Sequence, residues 1–145
     1  MPVALLDVNI LVALAWPPQQ HHDVVRHWFT EHSPEGWATC AVTQNGFLRT
    51  ILNPAPKTSL VATSVIALLE ASIAHASHRR WTDEFDTPAM FRPLAPHLRG
   101  HRQVTDAYLI GLAMRHDGIL VTLDRGAAAL ASAGGHAGSV ELIGA

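Results

Sequence analysis

Apolar positions change period along the chain, and each change marks an element. Residues 3–6 form a continuous apolar run that ends at Asp7, and a second run begins at Ile10. A short run closed by an acid predicts a buried strand handing over to a helix, with Asp7 at the strand's carboxyl end. The helix over 10–15 stops before Trp16-Pro17-Pro18, because a residue preceding proline is driven out of the helical region. Over 19–33, Val24, Val25, Trp28 and Phe29 recur at three and four, the stripe of a one-sided helix. Residues 36–42 predict the second strand. Thr43 is expected to cap a helix running to about 52, ended by Asn53-Pro54-Ala55-Pro56.

An alanine-rich stretch, 58–76, predicts a long helix whose apolar positions belong to core or interface. Between 75 and 100 the pattern breaks down. Trp81, Phe85 and Phe91 stand among prolines, acids and arginines, which predicts a short strand or turn and irregular loops. Residues 103–116 predict a helix with Asp106 in its first turn, and Asp117-Gly118 turns the chain into a buried strand over 119–122. Asp124 opens another helix, residues 127–138 read as loose because they are small, and 139–143 predict a last strand. Strand and helix alternate throughout, so the expected fold is α/β: a three-layer α/β/α sandwich around a mostly parallel sheet, with residues 1–145 as a single domain.

Composition narrows what such a domain does. Charged residues make up 15% of the 145, against about 25% for an ordinary soluble domain. Part of the surface is therefore expected to be covered, by another copy or by a partner's apolar segment. A net charge of −2 gives no bulk attraction to nucleic acid or anionic membrane. Any nucleic-acid contact must be local, and the positive charge consists of nine arginines and one lysine, Lys57. Arginine is the better bidentate phosphate ligand, so Arg79, Arg80, Arg92, Arg99 and Arg102 form a candidate patch. The single cysteine, Cys40, excludes an internal disulfide and fits a reducing cytoplasm. No basic leader precedes the first apolar run and no apolar stretch approaches membrane-spanning length, so neither export nor insertion is expected. His21, His22, His27 and His32 have no companion acid at a ligand spacing and read as a solvated face. His97 and His101 read as loop residues.

The candidate chemistry lies in Asp7, Asp106 and Asp124. Each has a plain structural explanation as a helix cap or a complement to the helix dipole. All three, however, fall at strand ends or helix starts, which in a doubly wound sheet converge on one edge. Two carboxylates about 4 Å apart repel by roughly 4 kcal/mol at an effective dielectric of 20, so protonation or a cation must relieve the cluster. Oxygen ligands with water in the remaining positions suit magnesium or manganese. Such an ion suits hydrolysis of a phosphodiester.

Four segments then carry a resemblance: Leu5-Leu6-Asp7-Val8-Asn9, the run Thr-Gln-Asn-Gly-Phe-Leu-Arg from Thr43, Gly-His-Arg-Gln-Val-Thr-Asp-Ala-Tyr-Leu from Gly100, and Leu-Val-Thr-Leu-Asp-Arg-Gly from Leu120. In this order they resemble the PIN-domain ribonucleases, and more narrowly the VapC-like toxins of toxin–antitoxin pairs. The resemblance implies a magnesium-dependent endoribonuclease, usually dimeric, inhibited by a cognate antitoxin that inserts into its groove. Carried over by position, Asp7 and Asp106 resemble the principal metal ligands and Asp124 the third acid. Asn9, Thr43 and Thr122 resemble the donors that orient those carboxylates. Recognition of RNA is assigned to Arg99 and Arg102. One departure is visible: PIN domains commonly carry a glutamate where this chain reads Thr43-Gln44-Asn45-Gly46-Phe47, which leaves the number of metal ions open.

Rival α/β readings fit the residues less well. A dehalogenase-type phosphatase needs an aspartate two after the first, and position 9 is Asn. A receiver domain needs a lysine after a late strand, where this chain has Thr122, Leu123 and Asp124. A nucleotide-binding module needs a glycine-rich loop after the first strand. A catalytically degenerate PIN-like module, binding RNA or protein without cutting, survives on the missing glutamate.

Overall fold

The computed structural model describes residues 2–53 and 60–144. Pro54-Ala55-Pro56, Lys57 and the expected helix start at 58 lie outside the described residues.

Five strands form one sheet: β1 (Ala4–Leu6), β2 (Trp37–Thr39), β3 (His78–Arg80), β4 (Ile119–Thr122) and β5 (Val140–Leu142). They lie in the order β3-β2-β1-β4-β5, and every pairing is parallel. Parallel strands need crossovers, which the helices supply. Helices α1 (Val8–Ala15) and α2 (His22–His32) lead to β2, and α3 (Ala41–Ile51) and α4 (Ala62–Ile73) lead to β3. The chain then crosses the sheet through α5 (Thr87–Phe91) and α6 (Val104–Arg115) to reach β4, and α7 (Arg125–Ala133) connects to β5. Strand order therefore reverses between β1 and β4, the place where open α/β sheets keep their sites.

Alternation along the strands builds two cores. Ala4 and Leu6 of β1 pack with Trp37 and Val121 beneath α1 to α4, while Leu5 packs with Ala38 and Leu120 beneath α5 to α7. Leu5, Leu6, Leu120 and Val121 are wholly buried, each stabilising the fold by about 1.5–3 kcal/mol. These two faces are the outer-layer contacts of a three-layer α/β/α sandwich. Helix α6 buries Ala107, Leu109, Ile110, Gly111, Leu112 and Ala113, so almost its whole middle is interior. Its small residues let α5 approach closely. A Cβ at Gly111 would lie 1.9 Å from the Met90 carbonyl oxygen.

Several local expectations shift. The second strand ends at Thr39, because Cys40 is the N-cap of α3 and Thr43 is its third helical residue. The Thr43 hydroxyl accepts the Cys40 N–H at 3.0 Å and donates to the Cys40 carbonyl at 3.1 Å, so it closes the helix start from inside. Helix α5 was not expected in a proline-rich stretch. Pro88 sits in its first turn, where a missing N–H costs nothing. Residues 127–138 are not loose: α7 lays Ala127, Leu130 and Ala131 into the core. The histidines serve the structure, with His22 donating to the Ala13 carbonyl at 2.6 Å, His32 stacked on Trp28, and His27 paired with Glu31. Among the described residues no helix is long and apolar enough to cross a membrane.

The α5–α6 contact yields the first prediction. Gly111→Ala should lower stability by about 1–3 kcal/mol through overpacking, measured as a reduced urea midpoint with an unchanged m-value. An unchanged midpoint would mean that the two helices do not meet as described.

Candidate active site

Asp7 follows the last residue of β1 and caps α1. Its Oδ1 accepts the Val8 N–H at 2.7 Å, and its own N–H joins the sheet by donating to the Val121 carbonyl at 3.0 Å. The capping explanation is thus correct for Asp7, and so is placement at the sheet edge. Thr122, the last residue of β4, donates its hydroxyl to Asp7 Oδ2 at 2.7 Å. Thr122 Oγ1 in turn accepts from Asn9 Nδ2 at 3.2 Å and from the Asp124 N–H at 3.0 Å, and Asn9 Nδ2 also reaches Asp7 Oδ2 at 3.5 Å. Asn9 Oδ1 accepts the Leu123 N–H at 3.1 Å. Asp124 caps α7 in turn, its Oδ1 accepting the Gly126 N–H at 2.7 Å. One connected network therefore fixes the ends of β1 and β4 and two of the three acids.

Asp106, the third residue of α6, completes the group. With Asp7, Asn9 and Asp124 it lines a pocket of about 400 Å³. Burial, together with the nearby Asp124 and Asp7 charges and a hydrogen bond from its protonated form to Asp124, pushes its carboxyl up to about 7. Burial also raises the Asp7 carboxyl, against the opposing pull of the Thr122 and Val8 hydrogen bonds. No arginine or lysine among the described residues lines the pocket or forms an ion pair with any of the three acids. The crowding instead favours the protonated form of Asp106.

Asn9 and Thr122 touch the carboxylates as expected, but Thr43 does not. All three of its hydrogen bonds go to Cys40, because the cap of α3 uses the whole hydroxyl. Arg99 and Arg102 are exposed in the segment just before α6 and do not line the pocket. Gln19, from the bend between α1 and α2, and Thr50, from the end of α3, do line it. Neither stood out in the sequence, since both are ordinary polar residues far along the chain from any acid. Gln44, in the stretch that lacks the glutamate, is turned toward β2 and donates to Thr39 Oγ1 at 2.9 Å. A larger cleft of about 540 Å³ lies under α4, between it and α1, α2 and α3. It is mostly apolar and has no acid in its walls.

The donor set suits a hard divalent cation. It is all oxygen, it lacks an internal counter-charge, and it holds a proton that a cation would displace. Among the described residues no three His, Cys, Asp or Glu side chains close around a single point as a metal cage.

The raised carboxyl gives a pH prediction. A group whose folded pKa lies above its ordinary value contributes stability below the ordinary range and loses it as pH rises through the folded value. For Asp106 the window runs from 3.8 to about 7. Metal-free protein in EDTA should therefore lose thermal stability between about pH 4 and pH 8, and Asp106→Asn should flatten that decline. Parallel pH profiles for the two proteins would show that Asp106 is not crowded.

Comparison with known proteins agrees with this architecture. The PIN domain family model matches residues 4–133. Ribonuclease VapC39 of Mycobacterium tuberculosis is 42% identical over 134 residues, covering 90% of this chain and 95% of that protein. Ribonuclease VapC38 of the same organism is 42% identical over 130 residues, covering 89% and 90%. Among solved structures, PAE2754 from Pyrobaculum aerophilum superposes with a TM-score of 0.60 at 21% identity, covering 89% of this chain and 79% of that one, and supports the fold. Sheet order, switch-point acids and these relatives agree that the chain belongs to the PIN-domain family, on its VapC-like branch.

Proposed function

We propose that this protein is a magnesium-dependent endoribonuclease, the toxin of a toxin–antitoxin pair, with manganese able to replace magnesium. One observation carries the reading: three acids from three elements line a single pocket at the switch point with no positive side chain among them. The relatives' name, ribonuclease, supports the substrate class.

Asp7 and Asp106 would hold the cation, with Asp124 beside them. A cation held there would supply charge neutralisation for the phosphate and a lowered pKa for an attacking water. The protein's own part is orientation. Thr122, and Asn9 through a longer bond to the same oxygen, keep the Asp7 carboxylate from rotating, so it meets substrate in one geometry. Gly126 holds Asp124 Oδ1, which leaves Oδ2 to accept a proton from water. Asp106, its carboxyl pushed up to about 7 by burial and the neighbouring acids, would exchange its proton for the cation it helps to hold.

Other parts of the reading concern assembly and location. Helix α4 leaves Ile66 and Leu68 exposed, Leu68 at the apolar cleft, which supports a protein partner, an antitoxin segment or a second copy in a homodimer. One free cysteine supports a cytoplasmic location. A degenerate, non-cutting module is the second reading, favoured by Gln44 standing in place of a carboxylate and bonding to Thr39.

RNA cleavage by the purified protein should require magnesium, stop in EDTA, and fall at least about 100-fold in Asp7→Ala, Asp106→Asn and Asp124→Asn. Equal cleavage by wild type and variants would remove the mechanism. RNA binding with no cleavage by the wild type would favour the degenerate module.

A further inference from the structure

The acid pocket also has neutral polar walls, and much of their hydrogen-bonding capacity is unspent. Gln19 Oε1 accepts the His21 backbone N–H, so its Nε2 remains a donor. The Thr50 hydroxyl donates to the Gly46 carbonyl at 2.9 Å, so its Oγ1 remains an acceptor. Val8 and Val12 line the pocket alongside them. Away from the acids, the pocket thus offers incoming substrate an amide donor and a neutral hydroxyl acceptor beside two valines.

The acceptor is the informative half. While its hydrogen stays on the Gly46 carbonyl, Thr50 Oγ1 bonds to a group that carries a hydrogen, and a phosphodiester has none, nor has a deoxyribose ring within a strand. A ribose 2′-hydroxyl both donates and accepts. It sits on the carbon next to the one bearing the 3′-oxygen, so it is the donor nearest any phosphodiester held at the carboxylates. Base edges carry donors too, but they stand beyond the sugar. At about 400 Å³ the pocket has room for a sugar beside the phosphate.

We propose that Gln19 and Thr50 read the ribose: Thr50 accepts from, and Gln19 donates to, the 2′-hydroxyl of the nucleotide whose 3′-oxygen is joined to the scissile phosphate. The assignment rests on the nuclease reading and adds how that site selects RNA over DNA. No alignment of this pair with the metal ligands is needed, because the hydroxyl is recognised and not consumed.

The test combines protein and substrate changes. Two oligonucleotides of one sequence are compared, all ribose or with a single 2′-deoxy nucleotide on the 5′ side of the cleaved bond. Wild-type protein should cut the ribose strand about tenfold faster, the worth of a hydrogen bond or two. Thr50→Val should shrink that ratio to about twofold by slowing only the ribose strand, and Thr50→Ser, which keeps the acceptor, should restore it. Gln19→Ala should shrink the ratio as well. Thr50 is exposed, so its variants fold without strain. An undiminished ratio in both Thr50→Val and Gln19→Ala overturns the assignment and leaves the nuclease reading standing. A deoxy strand that no form of the protein cuts would make the hydroxyl a reactant and overturn it too. Failure of the wild type to cut either strand removes both readings.

Discussion

The hydroxyl of Thr122 is the joint on which the site depends. It donates to Asp7 and accepts from Asn9 and Asp124, so all three of its hydrogen-bonding positions are in use. Each partner belongs to a different part of the chain: the end of β1, the first turn of α1, and the cap of α7. The residue is wholly buried, where water does not compete and each hydrogen bond polarises the next. Valine has nearly the same shape, but it would leave a buried carboxylate oxygen and two donors without this partner. The sheet brings the strand ends together, and this hydroxyl turns their proximity into a fixed geometry.

Crowding acids at that joint opposes stability, and the fold manages the conflict by location. Asp7 is buried and held by donors, Asp124 is exposed to water at a helix start, and Asp106 lies between those extremes and takes the proton. The helix starts help, since the amide hydrogens of α1 and α7 face Asp7 and Asp124. A protein selected for stability alone would place an arginine among these acids. The chain carries nine arginines and keeps those of the described segments out of the pocket, which leaves the negative charge available to a cation.

Much of this was legible in the sequence because the strands are short, apolar and closed by acids. The run ending at Asp7 and the run ending at Thr122 each predict a buried strand feeding a helix, and alternation with helices favours the parallel sheet. What escaped notice depended on contacts between segments. Thr43 looked like a helix cap and a carboxylate orienter, yet three residues of local geometry at Cys40 claimed its hydroxyl. Helix α5 was hidden by prolines that suit a helix's first turn as well as a loop. Gln19 and Thr50 carry no periodicity or charge signal at all. They reach the pocket only because α1, α2 and α3 pack on one face of the sheet.

The two outer strands restrict how copies of this molecule can meet. Each is three residues long, one carrying Arg79 and Arg80 and the other Glu141 at its centre. Short charged margins resist the addition of a further strand, which is how native sheets avoid running on from one molecule to the next. Growth into continuous ribbons is thereby discouraged, and self-association is directed to helical surfaces, where recognition depends on side-chain shape and not on generic backbone pairing.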